Sequence, residues 1–365
     1  MSLKYRKPLD NIISYAPAKT IEEIERELGI DKIIRLSANE NSLGYSPLVK
    51  EAIETSFNKI NLYPDFNCSK LRTKLAETYG FNEKQLIFGN GSFELLSLIG
   101  EVFINPNEES IIPEPSFGWY KVVTLKMEGK IVSVPLKNNG IDLDYIKEKI
   151  NEKTKVIWLC NPNNPTGTYF SEESLVQFLK SIPSDIIVVL DEAYYEFVEN
   201  KDYPDSVKLL DRFKNIIILR TFSKVYGLAS FRVGYGITSE EIIAVLNKIR
   251  LPINVNFLAQ VAANASLEDQ EFRNKVYLNN LKEKQFFYKA FDELDLEYIP
   301  TQTNFIMVDV KKNSLEVFNE VLKRGISIRA GIEFGMKTWL RITIGTPEEN
   351  KLLVHILKEV LNNNF

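Results

Sequence analysis

A chain of 365 residues exceeds the size at which one apolar core stops growing, so its length predicts two domains. A composition 44% hydrophobic and 26% charged belongs to a soluble globular protein and excludes a disordered one. The formal net charge of −4 comes from residues of both signs spread throughout, which leaves no footprint for nucleic acid or an anionic membrane. One histidine, His355, in a late helical pattern, argues against histidine-built metal sites and against a serine–histidine–aspartate mechanism. Cys68 and Cys160 lack metal-type spacing and read as reduced thiols of a cytoplasmic protein.

In chain order, residues 1–19 read as an irregular arm without an apolar signal core, and no stretch approaches membrane-spanning length. Thr20-Ile21-Glu22-Glu23 is a capping box opening a short helix that Gly29 can close. Ile33–Leu36 is a strand candidate, followed by the polar turn Ser37-Ala38-Asn39-Glu40-Asn41-Ser42-Leu43-Gly44. A helix over 48–59 leads to Asn61-Leu62-Tyr63-Pro64-Asp65, an exposed aromatic turn. Ile87-Phe88 runs into Gly89-Asn90-Gly91-Ser92 and an apolar helix from Phe93 to Phe103. Such a strand-to-helix turn leaves backbone N–H groups free at a positive helix end, a cradle for phosphate. Its spacing is neither that of a P-loop nor that of a dinucleotide fingerprint.

The strand that follows brings Phe117, Trp119 and Tyr120 to one loop, where a flat ring could stack on a heterocycle or simply pack in the core. Lys130–Pro135 and Lys155–Cys160 read as strands, the second ending in the proline-rich turn Asn161–Gly167. Ser171 caps the next helix. Asp185–Leu190 is a continuous apolar strand that delivers Asp191-Glu192-Ala193-Tyr194 at its end. An aspartate leaving a buried strand needs a partner, either a helix start or a protonated ring nitrogen. Ile216–Leu219 then ends in Arg220-Thr221-Phe222-Ser223-Lys224, with Gly227, Arg232, Gly234 and Gly236 close behind. Past such a strand end α/β sheets bind ligands. A lysine held there among apolar neighbours loses hydration and becomes nucleophilic enough for a Schiff base, whereas alone it would read as one more surface lysine. Thr221, Ser223 and Arg232 suit a phosphate dianion. An amine-reactive carbonyl compound carrying a phosphate is pyridoxal phosphate (PLP).

The strand–helix alternation over 85–237 predicts an α/β fold with a mainly parallel, doubly wound sheet. After 265 the texture changes to an α+β pattern. A helical run from Glu268 to Leu294 places Phe287, Phe291 and Leu294 on one face. A strand at 305–308, a helix over 314–324 stopped by Gly325, strands at 326–329 and 339–344, and a last helix over 347–361 complete it. Arg329 and Arg341 both lie on strands, and two arginines near one edge suggest an anion site. The domains expected are an arm and short helix over 1–30, a large domain over 31–265 and a small one over 266–365.

Taken together, Tyr15–Lys19, Ser37–Asn41, Tyr63-Pro64-Asp65, Gly89–Ser92, Asn164–Gly167, Asp191–Tyr194, Arg220–Lys224 and Leu340–Thr346 resemble the PLP-dependent aminotransferases of the aspartate-aminotransferase fold. Within that fold they are most similar to the histidinol-phosphate branch, over essentially the whole chain. The resemblance implies a seven-stranded large-domain sheet and a homodimer with shared sites. It gives Lys224 the Schiff base and the proton transfer, Asp191 the protonated pyridine nitrogen, and Asn164 and Tyr194 the phenolic oxygen. Phe117, ahead of Tyr120, would stack on the ring. Ser92, Phe93, Thr221 or Ser223, and Arg232 would hold the cofactor phosphate, with Tyr63 reaching it from the second subunit. Tyr15, Asn39, Arg329 and Arg341 would bind substrate, an amino acid or amino-alcohol phosphate alternating with a 2-oxo acid. Three positions depart from the branch: Phe93 replaces an acidic residue, Ser42 a proline, and Glu333-Phe334-Gly335-Met336-Lys337-Thr338-Trp339 looks more like relatives that accept aromatic amino acids. Aromatic aminotransferases and threonine-phosphate decarboxylases are the neighbouring alternatives.

Overall fold

The computed structural model describes residues 6–12 and 21–362. Its strands are β1 (Ile34–Arg35), β2 (Leu86–Gly89), β3 (Glu109–Glu114), β4 (Lys130–Pro135), β5 (Thr154–Cys160), β6 (Ile187–Asp191) and β7 (Ile216–Thr221). They continue with β8 (Gly234–Thr238), β9 (Tyr298–Ile299), β10 (Phe305–Asp309), β11 (Ile326–Ser327), β12 (Arg329–Ala330) and β13 (Trp339–Thr343). Seven form one sheet in the order β2-β8-β7-β6-β5-β3-β4. Its pairings are parallel except at β8, which runs antiparallel to both β2 and β7. Every residue of β6 and β7 is buried, because a parallel strand covered by helices on both faces must be apolar on both. One buried cluster, with Leu159, Leu190 and Ile218, covers one face, and a second, with Trp158, Val189 and Leu219, covers the other. The side-chain alternation of a strand produces this division.

The second sheet, β12-β13-β10-β9, is antiparallel. Its core joins Phe287, Phe291, Ile306, Leu340 and Leu357 to Leu36, from far upstream in the chain. Leu36 is held there because β1 pairs in parallel with β11 and the Leu36 carbonyl accepts from Thr343 N at 2.8 Å. The segment that follows, 37–39, is thereby carried from the second sheet toward the ends of β5–β7.

Local detail departs from the sequence pattern at several places. The helical run expected over 268–294 is helix Gln270–Glu293, and a further helix that the sequence pattern did not give, Phe257–Glu268, precedes it. They part at Asp269, whose carboxylate accepts from Phe272 N at 2.9 Å and from the Ser46 hydroxyl at 2.5 Å. The helix expected over 48–59 closes at Glu54, and a 3-10 turn over Phe57–Lys59 follows. The strand expected over 326–329 divides between two sheets, Ile326–Ser327 joining β1 and Arg329–Ala330 joining β13. The capping residue Thr20 lies outside the described residues. Both cysteines are buried free thiols. Among the described residues no helix is long and apolar enough to cross a membrane, and no His/Cys/Asp/Glu group could hold a metal ion.

Candidate active site

Strand register gathers the phosphate-type groups. Gly234 on β8 stands opposite Gly89 on one side and Thr221 on the other, so both strand ends meet at one edge. Helix Ser92–Phe103 starts there, after Gly91 at φ +71°, a left-handed conformation that favours glycine. A Cβ on Gly91 would lie 2.5 Å from Nη2 of Arg232, and one on Gly234 would lie 2.6 Å from Ser92 N. The Arg232 guanidinium therefore lies against the turn that opens the helix. Its Nη1 donates to the Ala229 carbonyl at 2.9 Å. The Thr221 hydroxyl donates to Ser223 Oγ at 3.0 Å and accepts from Ser223 N at 3.1 Å, both residues being buried. A helix N-terminus, a guanidinium and two hydroxyls at one sheet edge form an anion cradle.

Asp191, the last residue of β6, is buried. Its Oδ2 accepts from the Tyr120 hydroxyl at 2.7 Å, while Oδ1 is buried without a hydrogen-bond partner. Burial pushes the Asp191 carboxyl up to about 6, opposed by the Tyr120 hydroxyl and the Ala193 N–H. Tyr120 sits in the first turn of helix Trp119–Lys126. It stacks on Trp158 of β5 at 5.2 Å and meets Phe117 edge-on at 5.5 Å. Phe117 also meets Phe93 edge-on at 5.2 Å, and Phe93 lies 5.3 Å from Trp119. The aromatic at position 93 thus packs into the loop's own ring cluster.

Lys224 follows β7 and its Nζ donates to the Ala38 carbonyl at 3.1 Å. Burial, then the charge of Arg341, brings its ammonium down to about 8. Its Nζ lies 5.6 Å from the centre of the Tyr194 ring. The Tyr194 hydroxyl accepts from Asn39 Nδ2 at 3.0 Å and from Asn164 Nδ2 at 3.4 Å, and burial raises its pKa. Arg341, buried on β13, donates from Nη1 to Asn164 Oδ1 at 2.6 Å and from Nη2 to the Ser37 carbonyl at 2.9 Å. Its Nε is buried and unpartnered, and burial lowers its pKa to about 10. Lys224, Asn39, Asn164, Tyr194 and Arg341 are thus brought into one linked cluster.

Arg329 stands directly across the strand pair from Arg341 and pairs with Glu333 at 2.7 Å. Tyr63 is set apart from the others, 89% exposed on its turn. Tyr15 lies outside the described residues. Sequence reasoning missed the role of Tyr120 as the partner of Asp191, the carbonyls of Ser37 and Ala38, and Glu333. The i, i+3 spacing of Phe117 and Tyr120 at a helix start is the one local hint for Tyr120, since it places both rings on one side.

The comparisons agree with this geometry. The family model "Aminotransferase class I and II" matches residues 31–357. A histidinol-phosphate aminotransferase of Caldicellulosiruptor saccharolyticus is 49% identical over 357 residues, covering 98% of this chain and 100% of that protein. Histidinol-phosphate aminotransferase 2 of Carboxydothermus hydrogenoformans is 46% identical, covering 98% and 99%. Among solved structures, the histidinol-phosphate aminotransferase of Sinorhizobium meliloti in complex with pyridoxal-5'-phosphate superposes with a TM-score of 0.90 at 27% identity, covering 99% of this chain and 98% of that one.

Proposed function

Because the chain belongs to the class I and II aminotransferase family, we propose that it moves an amino group between histidinol phosphate and 2-oxoglutarate, in either direction, with pyridoxal 5'-phosphate as cofactor. The relatives' names support the substrate class. The observation that carries the reading is the pair of arginines directly opposite on β12 and β13, one of them bonded to Asn164 in the turn after β5. A phosphate dianion can use two guanidinium forks where an amino-acid carboxylate needs one.

The residues present fit the cofactor. The buried, unpartnered Oδ1 of Asp191 calls for a donor, which a protonated ring nitrogen supplies, and the Gly91–Arg232 cradle suits a phosphate. When bound, PLP supplies an amine-reactive carbonyl and a ring that accepts electron density. The chain's own groups do the rest. Lys224, whose depressed pKa keeps much of it neutral near pH 8, offers Nζ as nucleophile and then as the base that carries the substrate proton. Tyr120 orients Asp191 and holds its second oxygen, so the free one is aimed. Asn164, Tyr194 and Asn39 form the hydrogen-bonding row beside the lysine; Asn164 and Tyr194 would hold the cofactor's phenolic oxygen and Asn39 would face the substrate. Phe117 would cover the ring face, and Ser92, Phe93 N–H, Thr221, Ser223 and Arg232 would hold the phosphate. Arg341 takes the carboxylate of glutamate, and with Arg329 and Tyr15 the phosphate of histidinol phosphate.

Residues 31–265 are assigned here as the large domain and 266–365 as the small one, preceded by the arm, in a cytoplasmic homodimer. We assign Tyr63 to a second subunit's site, a reading supported by its exposure beside the exposed Leu62, Ile60 and Phe57. Light scattering on the active enzyme checks this, and an active monomer removes Tyr63 from the site. The substrate is tested by steady-state kinetics with histidinol phosphate, phenylalanine, tyrosine and threonine phosphate. Histidinol phosphate should give the highest kcat/KM. Arg341→Ala should damage both half-reactions, and Arg329→Ala the histidinol-phosphate half by roughly 2–4 kcal/mol. A wild-type preference for phenylalanine would hand the reading to an aromatic aminotransferase.

A further inference from the structure

Arg329 on β12 and Arg341 on β13 occupy directly opposite positions of an antiparallel pair. Like charges at such positions repel, and Arg341 feels the charge of Arg329. The 3-10 turn that follows β12, Gly331–Phe334, answers both arginines at once. Glu333 Oε2 lies 2.7 Å from Arg329 Nη2, and the Phe334 ring lies 5.1 Å from the Arg341 guanidinium. The two arginines are otherwise held very differently. Arg341 is buried and bonded to Asn164 and Ser37, whereas the Arg329 side chain is 34% exposed and that of Glu333 46%. Exposed ion pairs hold weakly and exchange partners at little cost.

We propose that Glu333 is a specificity-determining residue: the built-in counter-anion of Arg329, retained while a ligand brings only a carboxylate to Arg341, and displaced when a ligand brings a phosphate dianion. This rests on the reading that Arg329 and Arg341 together grip the substrate phosphate. A transaminase must accept two unlike anions in one place, a phosphate ester in one half-reaction and a dicarboxylic amino acid in the other. Two facing arginines with no acid beside them would favour the dianion at the expense of the carboxylate and would retain free phosphate. Glu333 opposes each ligand in proportion to that ligand's charge. Its removal should therefore favour a dianion about twice as much as a monoanion on a logarithmic scale.

The test uses PLP-loaded Glu333→Gln. The KM for histidinol phosphate should fall about tenfold, that for glutamate about threefold, and inorganic phosphate should become a competitive inhibitor about tenfold tighter. Glu333→Asp, which keeps the charge, should stay near wild type in the ratio of the two KM values. Equal shifts for both substrates, or none, would overturn the proposal. So would a lower Tm with an unchanged KM ratio, which would make Glu333 a brace of its turn and nothing more. Arg329→Ala separates the layers. An unchanged KM for histidinol phosphate in that variant defeats the reading of the arginine pair itself, whereas a raised KM alongside a silent Glu333→Gln defeats the role of Glu333 alone.

Discussion

Two arginine–glutamate pairs flank this site, and they are opposites. Arg220 donates from Nε and lies within 2.9 Å of Glu192 Oε2 with Nη2 as well; their side chains are 6% and 1% exposed. The Ser206 hydroxyl takes the other Glu192 oxygen, and the Tyr195 ring lies 3.7 Å from the guanidinium. Glu192 adjoins Asp191 and Arg220 adjoins Thr221, so this pair joins the ends of β6 and β7 beneath the groups proposed to hold the cofactor. Arg329–Glu333, half in solvent, has no such surroundings. A desolvated pair with each oxygen occupied has one geometry, whereas a solvated pair can trade its anion. Cofactor and substrate ask for these two properties respectively: one stays for every turnover, the other comes and goes.

The comparison can be broken or sharpened by experiment. The largest expected effect lies on the fixed side. Lys224→Ala should abolish turnover while PLP still binds, and borohydride should no longer link the cofactor to the chain; a reduced cofactor peptide at another lysine would refute the assignment. In the wild-type protein, carbonyl capture should quicken as pH rises through about 8, where the Lys224 ammonium gives up its proton, and level off above. Next, Arg220→Met should cost about 3–5 kcal/mol in urea unfolding, because it strands Glu192 without its cation. Arg329→Ala should cost less than about 1 kcal/mol in the same assay. Similar losses in both would erase the distinction drawn here.

An effect confined to a pH window concerns Glu196, close to the buried pair. Burial pushes its carboxyl up to about 8, and its Oε1 is buried without a partner. A carboxyl with a raised folded pKa binds its proton in the fold but not in the unfolded chain between its ordinary pKa and 8. Wild-type stability should therefore fall as pH rises across that window. Glu196→Gln removes this slope, so it should exceed wild type in stability at pH 8 and match it near pH 4. Thermal unfolding across that range decides it.

What the sequence made legible follows the same division. Asp191, Asn164, Thr221 and Lys224 each stand at or just past the end of an apolar strand, and strand ends are local signals. Tyr120 was read as a ring-stacking candidate because its bond to Asp191 spans 71 residues and crosses from the β3 side of the sheet to β6. Leu36 could not be placed in the second sheet's core, since that depends on β1 finding β11 at the far end of the chain. The helix Phe257–Glu268 was equally hidden. Leu267-Glu268-Asp269-Gln270 contains no glycine or proline, and the helix ends there because Asp269 turns its carboxylate to cap the next one and to receive Ser46. Arg329 and Arg341 were legible as a pair, but Glu333, the acid paired with Arg329, was read only as part of a departure from pattern.

The cradle has a consequence for anyone who builds variants of this protein. Its shape is specified by atoms left out: a methyl group on Gly91 would strike the Arg232 guanidinium at 2.5 Å, and one on Gly234 would strike Ser92 N at 2.6 Å. The second obstacle is backbone and cannot swing aside. Mutational tolerance is therefore sharply uneven. A library that randomises Glu333 and its neighbours can return altered substrate ranges, whereas one that randomises Gly234 should return glycine.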